Sequence, residues 1–201
     1  MIFVTFVIRA FLDLLFPPLC VSCGADAPKS PLCDACWELS TIIDPIGRCH
    51  HCFTSSEKPL CALCAKKPEF PYARAAVFEP EAPIFLLADD DSVDALAGFA
   101  YYQWQRLLEF EPDYVIAVIP SSIGKAFAEL CQKPSPKVFR RRFSLHGEEK
   151  WELREGLIAE DAQILLFDPG CSKKQLESAC LALAESFPRR VLILSMRILV
   201  C

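Results

Sequence analysis

The chain has 201 residues, is 53% hydrophobic and carries a formal charge of −5, with a mean hydropathy of +0.27. That is enough for one ordinary domain plus a small module, too apolar for a disordered chain, and too acidic for a generic nucleic-acid binder. Twelve cysteines are present, and the apolar N-terminal stretch is not expected to be a secretory leader, so a disulfide framework that needs an oxidising compartment is not expected either.

Residues 1–16 (MIFVTFVIRAFLDLLF) predict a short apolar helix from about Ile2 to Phe16, stopped by Pro17-Pro18. Arg9 and Asp13 interrupt it, no small-residue cleavage site follows, and it is too short to span a bilayer. It is expected to dock on the protein. A membrane-surface role is the alternative, and the thin polar face argues against it.

Residues 17–69 hold four Cys-x-x-Cys pairs: Cys20/Cys23, Cys33/Cys36, Cys49/Cys52 and Cys61/Cys64. Two thiolates three residues apart on a turn can both face one tetrahedral ion, and two such knuckles complete the four-thiolate shell that structural zinc prefers. The expectation is two Zn2+ ions. A closed shell leaves no position for water, so these ions hold the fold rather than do chemistry. An iron–sulfur cluster fits the regular paired spacing less well. Sequential pairing closes the shortest loops; a crossed arrangement, with Cys33/Cys36 beside Cys49/Cys52, stays open. His50 and His51 lie inside the third knuckle and are expected outside the shell.

From about residue 70 the pattern alternates. Strands are predicted at Tyr72–Phe78, Tyr114–Ile119, Gln163–Phe167 and Val191–Leu194, with an edge strand at Val138–Phe143. Helices are predicted at Ser92–Leu108, Ile123–Cys131 and Ser172–Phe187. Asp90, Asp91 and Ser92 are candidate N-caps for the first of these, and Ser172-x-x-Gln175 reads as a capping box. Strands alternating with helices imply a parallel sheet covered by helices, with ligands beyond the carboxyl ends of the strands. Those ends are Pro120-Ser121-Ser122 and Asp168-Pro169-Gly170. The division expected is an apolar helix (1–16), a double zinc module (17–69) and an α/β domain (70–201).

The run Leu14-Leu15-Phe16-Pro17-Pro18-Leu19-Cys20-Val21-Ser22-Cys23-Gly24, then Leu32-Cys33-Asp34-Ala35-Cys36, then Phe70-Pro71-Tyr72-Ala73-Arg74-Ala75-Ala76 resembles the ComF (GntX-like) proteins. The resemblance is most specific over the first 80 residues or so. It implies a double zinc-ribbon head on a type I phosphoribosyltransferase fold, in a competence-associated protein. It also implies a loop in which two Asp carboxylates grip ribose hydroxyls and a Thr-Thr-Gly turn at a helix N-terminus cradles the 5′-phosphate.

This chain departs from that pattern. It reads Leu166-Phe167-Asp168-Pro169-Gly170-Cys171-Ser172-Lys173-Lys174. Asp168 remains, Pro169 replaces the second carboxylate and removes a donor, and the Thr-Thr-Gly turn has become Ser172-Lys173-Lys174. A basic segment that the resemblance implies is Leu87-Ala88-Asp89-Asp90-Asp91 here. Removing one charge-assisted hydrogen bond to phosphate costs about 1.5–3 kcal/mol. Gly170, Ser172, Lys173 and Lys174 are the residual candidates for an anion site.

The leading expectation is therefore a cytoplasmic, non-catalytic ComF-like scaffold in DNA uptake or DNA handling, with protein partners. The first alternative is an active phosphoribosyltransferase using Mg2+ and phosphoribosyl pyrophosphate. The second is a zinc-dependent binder of single-stranded DNA, in which Arg48, Lys66, Lys67 and Arg140–Arg142 converge with Trp37, Phe53 or Phe70 as stacking platforms. Cys171, before a predicted helix, is the cysteine whose position favours a lowered pKa. Cys131, Cys180 and Cys201 read as small apolar residues.

Overall fold

The computed structural model describes residues 18–27, 31–66, 72–87, 92–107, 110–143, 149–154 and 157–198. The predicted helix at 1–16, the acidic cluster Asp89–Asp91, and Lys67, Phe70 and Cys201 lie outside the described residues. The chain divides into two compact units. One comprises Met1–Thr41 and Glu81–Asp89; the other comprises Ile42–Pro80 and Asp90–Cys201.

In the first unit a short helix, α1 (Asp34–Glu38), and a 3-10 helix, Pro83–Leu87, pack together. Ser40 is buried between them. Its hydroxyl donates to the Cys36 carbonyl at 2.9 Å and accepts the Ile84 amide at 3.1 Å. Leu32 and Ile84 are nearly inaccessible and, with Ala27 and Ala82, supply the small apolar centre.

The second unit starts with the second half of the cysteine-rich segment and its helix α2 (Ala62–Lys66). There follow β1 (Ala73–Phe78), α3 (Val93–Arg106), β2 (Tyr114–Ala117), α4 (Ser122–Cys131), β3 (Phe139–Phe143), β4 (Glu149–Leu153), β5 (Gln163–Asp168), α5 (Lys173–Ala184) and β6 (Arg190–Arg197). Four strands form one sheet in the order β1-β6-β5-β2, and every pair is parallel. The predicted apolar runs are thus the buried strands of a parallel sheet, as their lack of alternation requires. The last strand in the sequence inserts at the centre of the sheet rather than adding to an edge.

Both faces of the sheet are covered. Ile116, Ile164, Leu166, Val191 and Ile193 point to one side, where Leu176, Ala179, Cys180 and Leu183 of α5 pack on them. On the other side Phe127 of α4 stacks on Phe167, ring centroids 4.7 Å apart. Gly124 sits so close there that a Cβ would lie 3.0 Å from Ala117. The Ser121 hydroxyl caps α4 by accepting the Gly124 amide at 3.0 Å.

The sequence expectation for 138–143 needs correction. β3 does not join the main sheet; it forms a separate antiparallel pair with β4, Phe139 opposite Leu153 and Phe143 opposite Glu149. Trp151 anchors this pair, its amide donating to Ser178 of α5 at 3.1 Å and its ring meeting Phe139 edge-on. Ser92 occupies the N-cap position of α3, but its side chain makes no capping hydrogen bond there. Among the described residues no helix is long and apolar enough to cross a membrane.

Candidate functional site

Each cysteine tetrad is built the same way. A tight turn carries the first pair: Cys20 and Cys49 accept amides from Gly24 and Phe53, and an antiparallel bridge closes each turn, Leu19 with Asp26 and Arg48 with Ser55. The second pair sits at a short helix, with Cys33 as N-cap of α1 and Cys61/Cys64 at α2. The residue fourth after the leading cysteine needs a left-handed backbone: Gly24 at φ 72° and Phe53 at φ 63°. Glycine adopts this freely, whereas phenylalanine is strained there. Phe53 is buried, and that packing holds the strained turn.

The four sulfurs of Cys20, Cys23, Cys33 and Cys36 all lie within 4.8 Å of one another, and so do those of Cys49, Cys52, Cys61 and Cys64. The Cys23–Cys33 and Cys52–Cys61 sulfurs are 3.6 and 3.7 Å apart. Sulfurs at about 2.3 Å from a tetrahedral ion stand about 3.8 Å apart, so the spacing suits zinc. The pairing is sequential, not crossed. Amides support the sulfurs: Cys61 donates to Cys49 Sγ at 3.3 Å and Cys64 to Cys61 Sγ at 3.5 Å. His50 is exposed and His51 half-buried, and neither joins a tetrad.

The electrostatics of the thiols point the same way. Amide donors, that of Cys23 foremost, bring Cys20 down to about 6. At Cys49 burial is the largest influence and opposes ionisation, but the amides of Cys52, Cys61 and His51 outweigh it and bring the thiol to about 6. Their neighbours go the other way. The Ser22 hydrogen bond is the largest influence on Cys36 and lowers it, yet burial and the surrounding thiols together push it up to about 12. Burial foremost, then Cys52 and Cys61, push Cys64 up. Four thiols so close cannot all ionise unaided. A divalent cation supplies the charge that allows it, and each tetrad could hold one zinc ion with no open position.

The second tetrad also seals the sheet. Arg74 of β1 donates its amide to the His51 carbonyl at 2.7 Å, and Ile43 donates to Val77 at 2.9 Å. The fully buried Gln103 of α3 donates through Nε2 to the carbonyls of Ile43 and Ala76 at 3.0 and 2.9 Å. The outer edge of β1 therefore meets the cysteine-rich segment instead of water. The cysteine spacing carried no signal of this.

The loop after β5 is closed on itself. Asp168 is 1% exposed and shares the sheet face of Ile164 and Leu166, under α5. Its Oδ1 accepts the amides of Gly170 at 2.9 Å and Cys171 at 2.6 Å. The predicted capping box forms: Ser172 Oγ accepts the Gln175 amide and Gln175 Oε1 accepts the Ser172 amide. The amides of Gly170, Cys171, Ser172 and Gln175 are thus all bound within the loop, while the side chains of Lys173 and Lys174 stand exposed. Cys171 is buried in the α5 core and not positioned for reaction with solvent. Burial foremost raises Cys180 to about 12, with Arg74 opposing and Asp168 and Glu177 adding. Burial likewise raises Cys131 to about 12. Both behave as the apolar fillers expected.

The residues expected at a nucleic-acid surface stand in different surroundings. Phe53 is buried, and Arg48 is ion-paired to Glu79 at 2.6 Å. Trp37 is 37% exposed and Arg140 is exposed.

No family model and no curated protein matches the chain. Among solved structures it is similar to an adenine phosphoribosyltransferase from Leishmania donovani, at 13% identity and a TM-score of 0.41, over 60% of this chain and 58% of that one. It is also similar to the allosteric regulatory enzyme of purine biosynthesis, at 18% identity and a TM-score of 0.38, over 52% of this chain and 25% of that one. The chain thus spans about a quarter and somewhat over half of those proteins' lengths.

Proposed function

We propose that the chain is a zinc-held, non-catalytic protein of the ComF type, cytoplasmic, whose phosphoribosyltransferase-like domain acts as an accessory scaffold for protein partners in DNA uptake or DNA handling. The observation that carries the non-catalytic part is the state of Asp168. The only carboxylate left in the loop is buried and spends its oxygen on its own loop's amides. The neighbouring Pro169 offers neither a carboxylate nor an N–H. An anion held at Gly170, Ser172, Lys173 and Lys174 would rest on the two lysines and the first-turn amides of α5, since the amides of Gly170, Cys171, Ser172 and Gln175 are committed. Two sulfur tetrads with zinc spacing support the zinc-held part.

The test is zinc content per chain together with calorimetric titration of phosphoribosyl pyrophosphate and magnesium on the same sample. Two zincs and no heat are expected. Heat that disappears in Asp168→Ala, with two zincs retained, would show a working transferase site and sink the scaffold reading.

A further inference from the structure

A cavity of about 910 Å³ lies beside the edge strand β2, between α4 and the β3-β4 pair. No residue of the loop 168–172 lines it. Its volume falls within the range of small-molecule sites and is far more than an inorganic anion fills.

The lining has two characters. Ala128, Val138 and Trp151 are buried apolar residues, and with Phe139 they make the apolar part. The Phe139 and Trp151 rings stand nearly perpendicular, centroids 5.8 Å apart. The charged part is Lys125, Lys133 and Lys137 against a single carboxylate, Glu129. Lys125 pairs with Glu129, and Lys133 with Glu111 outside the lining. Lys137 has no carboxylate partner among the described residues. With Lys125 and Lys133 each paired to a carboxylate, Lys137 leaves this concavity one uncompensated positive charge in a chain of net charge −5. A cleft of one sign in a molecule of the other concentrates its counter-ion.

We infer that this cavity binds a small anionic molecule carrying an aromatic ring, with the anionic group at Lys137 and the ring against the Phe139–Trp151 side. Aromatic side chains supply most of the apolar contact at such sites, and a few charges fix the orientation.

The test compares three probes by calorimetry on the zinc-loaded full chain: phenyl phosphate, inorganic phosphate and phenol. Phenyl phosphate should bind more tightly than either half. Lys137→Glu should weaken it by about tenfold or more, the worth of one charge-assisted hydrogen bond. The double change Lys173→Glu with Lys174→Glu should leave it unchanged, which separates this cavity from the loop after β5. The inference fails if phenyl phosphate gives no heat at millimolar concentration. It fails equally if inorganic phosphate binds as well as phenyl phosphate, or if the loop double variant, rather than Lys137→Glu, abolishes binding. Lys137 is exposed, so its replacement should leave the melting temperature unchanged.

Discussion

The two cysteine tetrads share paired Cys-x-x-Cys knuckles, turn and helix, with nine residues between the pairs in the first and eight in the second, yet they sit in different settings. The first belongs to a unit in which, among the described residues, the buried apolar side chains besides its cysteines include Leu32, Ile84, Ala27 and Ala82. The second belongs to the unit with the parallel sheet, and its segment covers the edge of β1. In so small a unit a metal site contributes a large share of the folding free energy. One built against a sheet adds to a core that already exists.

Stripping both ions with a strong chelator gives the largest contrast. Hydrogen exchange should show that protection disappears throughout residues 18–27 and 31–41, while β5 and β6 stay protected. The Arg74 amide should exchange faster because its acceptor, His51, belongs to the released segment. Uniform loss of protection along the chain would mean that the sheet has no core of its own, and the contrast would be wrong.

Single ligands sharpen this. Cys64→Ser should lower the melting temperature of the sheet unit by roughly 10 °C, since loss of a structural ion costs several kcal/mol and each kcal/mol is worth about 2–4 °C in a protein of this size. Cys36→Ser should leave that transition in place and abolish only the ordered signal of the first unit. Equal shifts for the two variants in differential scanning calorimetry would erase the distinction.

The turns differ in a testable way too. Gly24→Ala forces a Cβ onto a left-handed residue with nothing within 4 Å to meet it, so the cost is backbone strain of about 1–2 kcal/mol. Phe53→Gly relieves comparable strain but removes a buried ring, worth about 3–5 kcal/mol on truncation. It should therefore destabilise by about 2 kcal/mol or more in denaturant melts. A stabilised Phe53→Gly would show that the ring contributes little and that the second turn is simply a poorer copy of the first.

These differences mark where the sequence stops being legible. The tetrads could be read because metal ligation is local: Cys-x-x-Cys spacing alone sets the geometry. Buried strands could be read because a strand covered on both faces has no polar side, as in Gln163-Ile164-Leu165-Leu166-Phe167. The place of β6 between β1 and β5 is a long-range choice that no local pattern encodes. The strand β4 (Glu149-Lys150-Trp151-Glu152-Leu153) is too charged to read as a strand, and it forms through pairing with β3 and the contact of Trp151 with α5. Pro169 after β5 is visible in the sequence, but the turning of Asp168 onto its own loop's amides is a side-chain conformation that no local pattern encodes. The lysines and aromatic residues around the cavity come from α4, the stretch after it, β3 and β4, and nothing in their order along the chain announces that they meet.

The smallest expected effect concerns Arg48, next to the leading cysteine of the second tetrad. Its guanidinium meets Glu79, just past the end of β1, at 2.6 Å, with side-chain exposures of 19% and 46%. Partly exposed ion pairs are worth about 0.2–1 kcal/mol, because water and salt screen them. Arg48→Ala should therefore lower stability by about 0.5 kcal/mol, and the difference from wild type should shrink at high salt. The first tetrad offers a natural control, since Leu19 holds the corresponding place before Cys20 and carries no charge. If Arg48→Ala costs several kcal/mol, the second turn depends on this pair rather than on Phe53 and the sheet edge, and the sheet contributes less to the metal site than the hydrogen bonds of Arg74 and Ile43 imply.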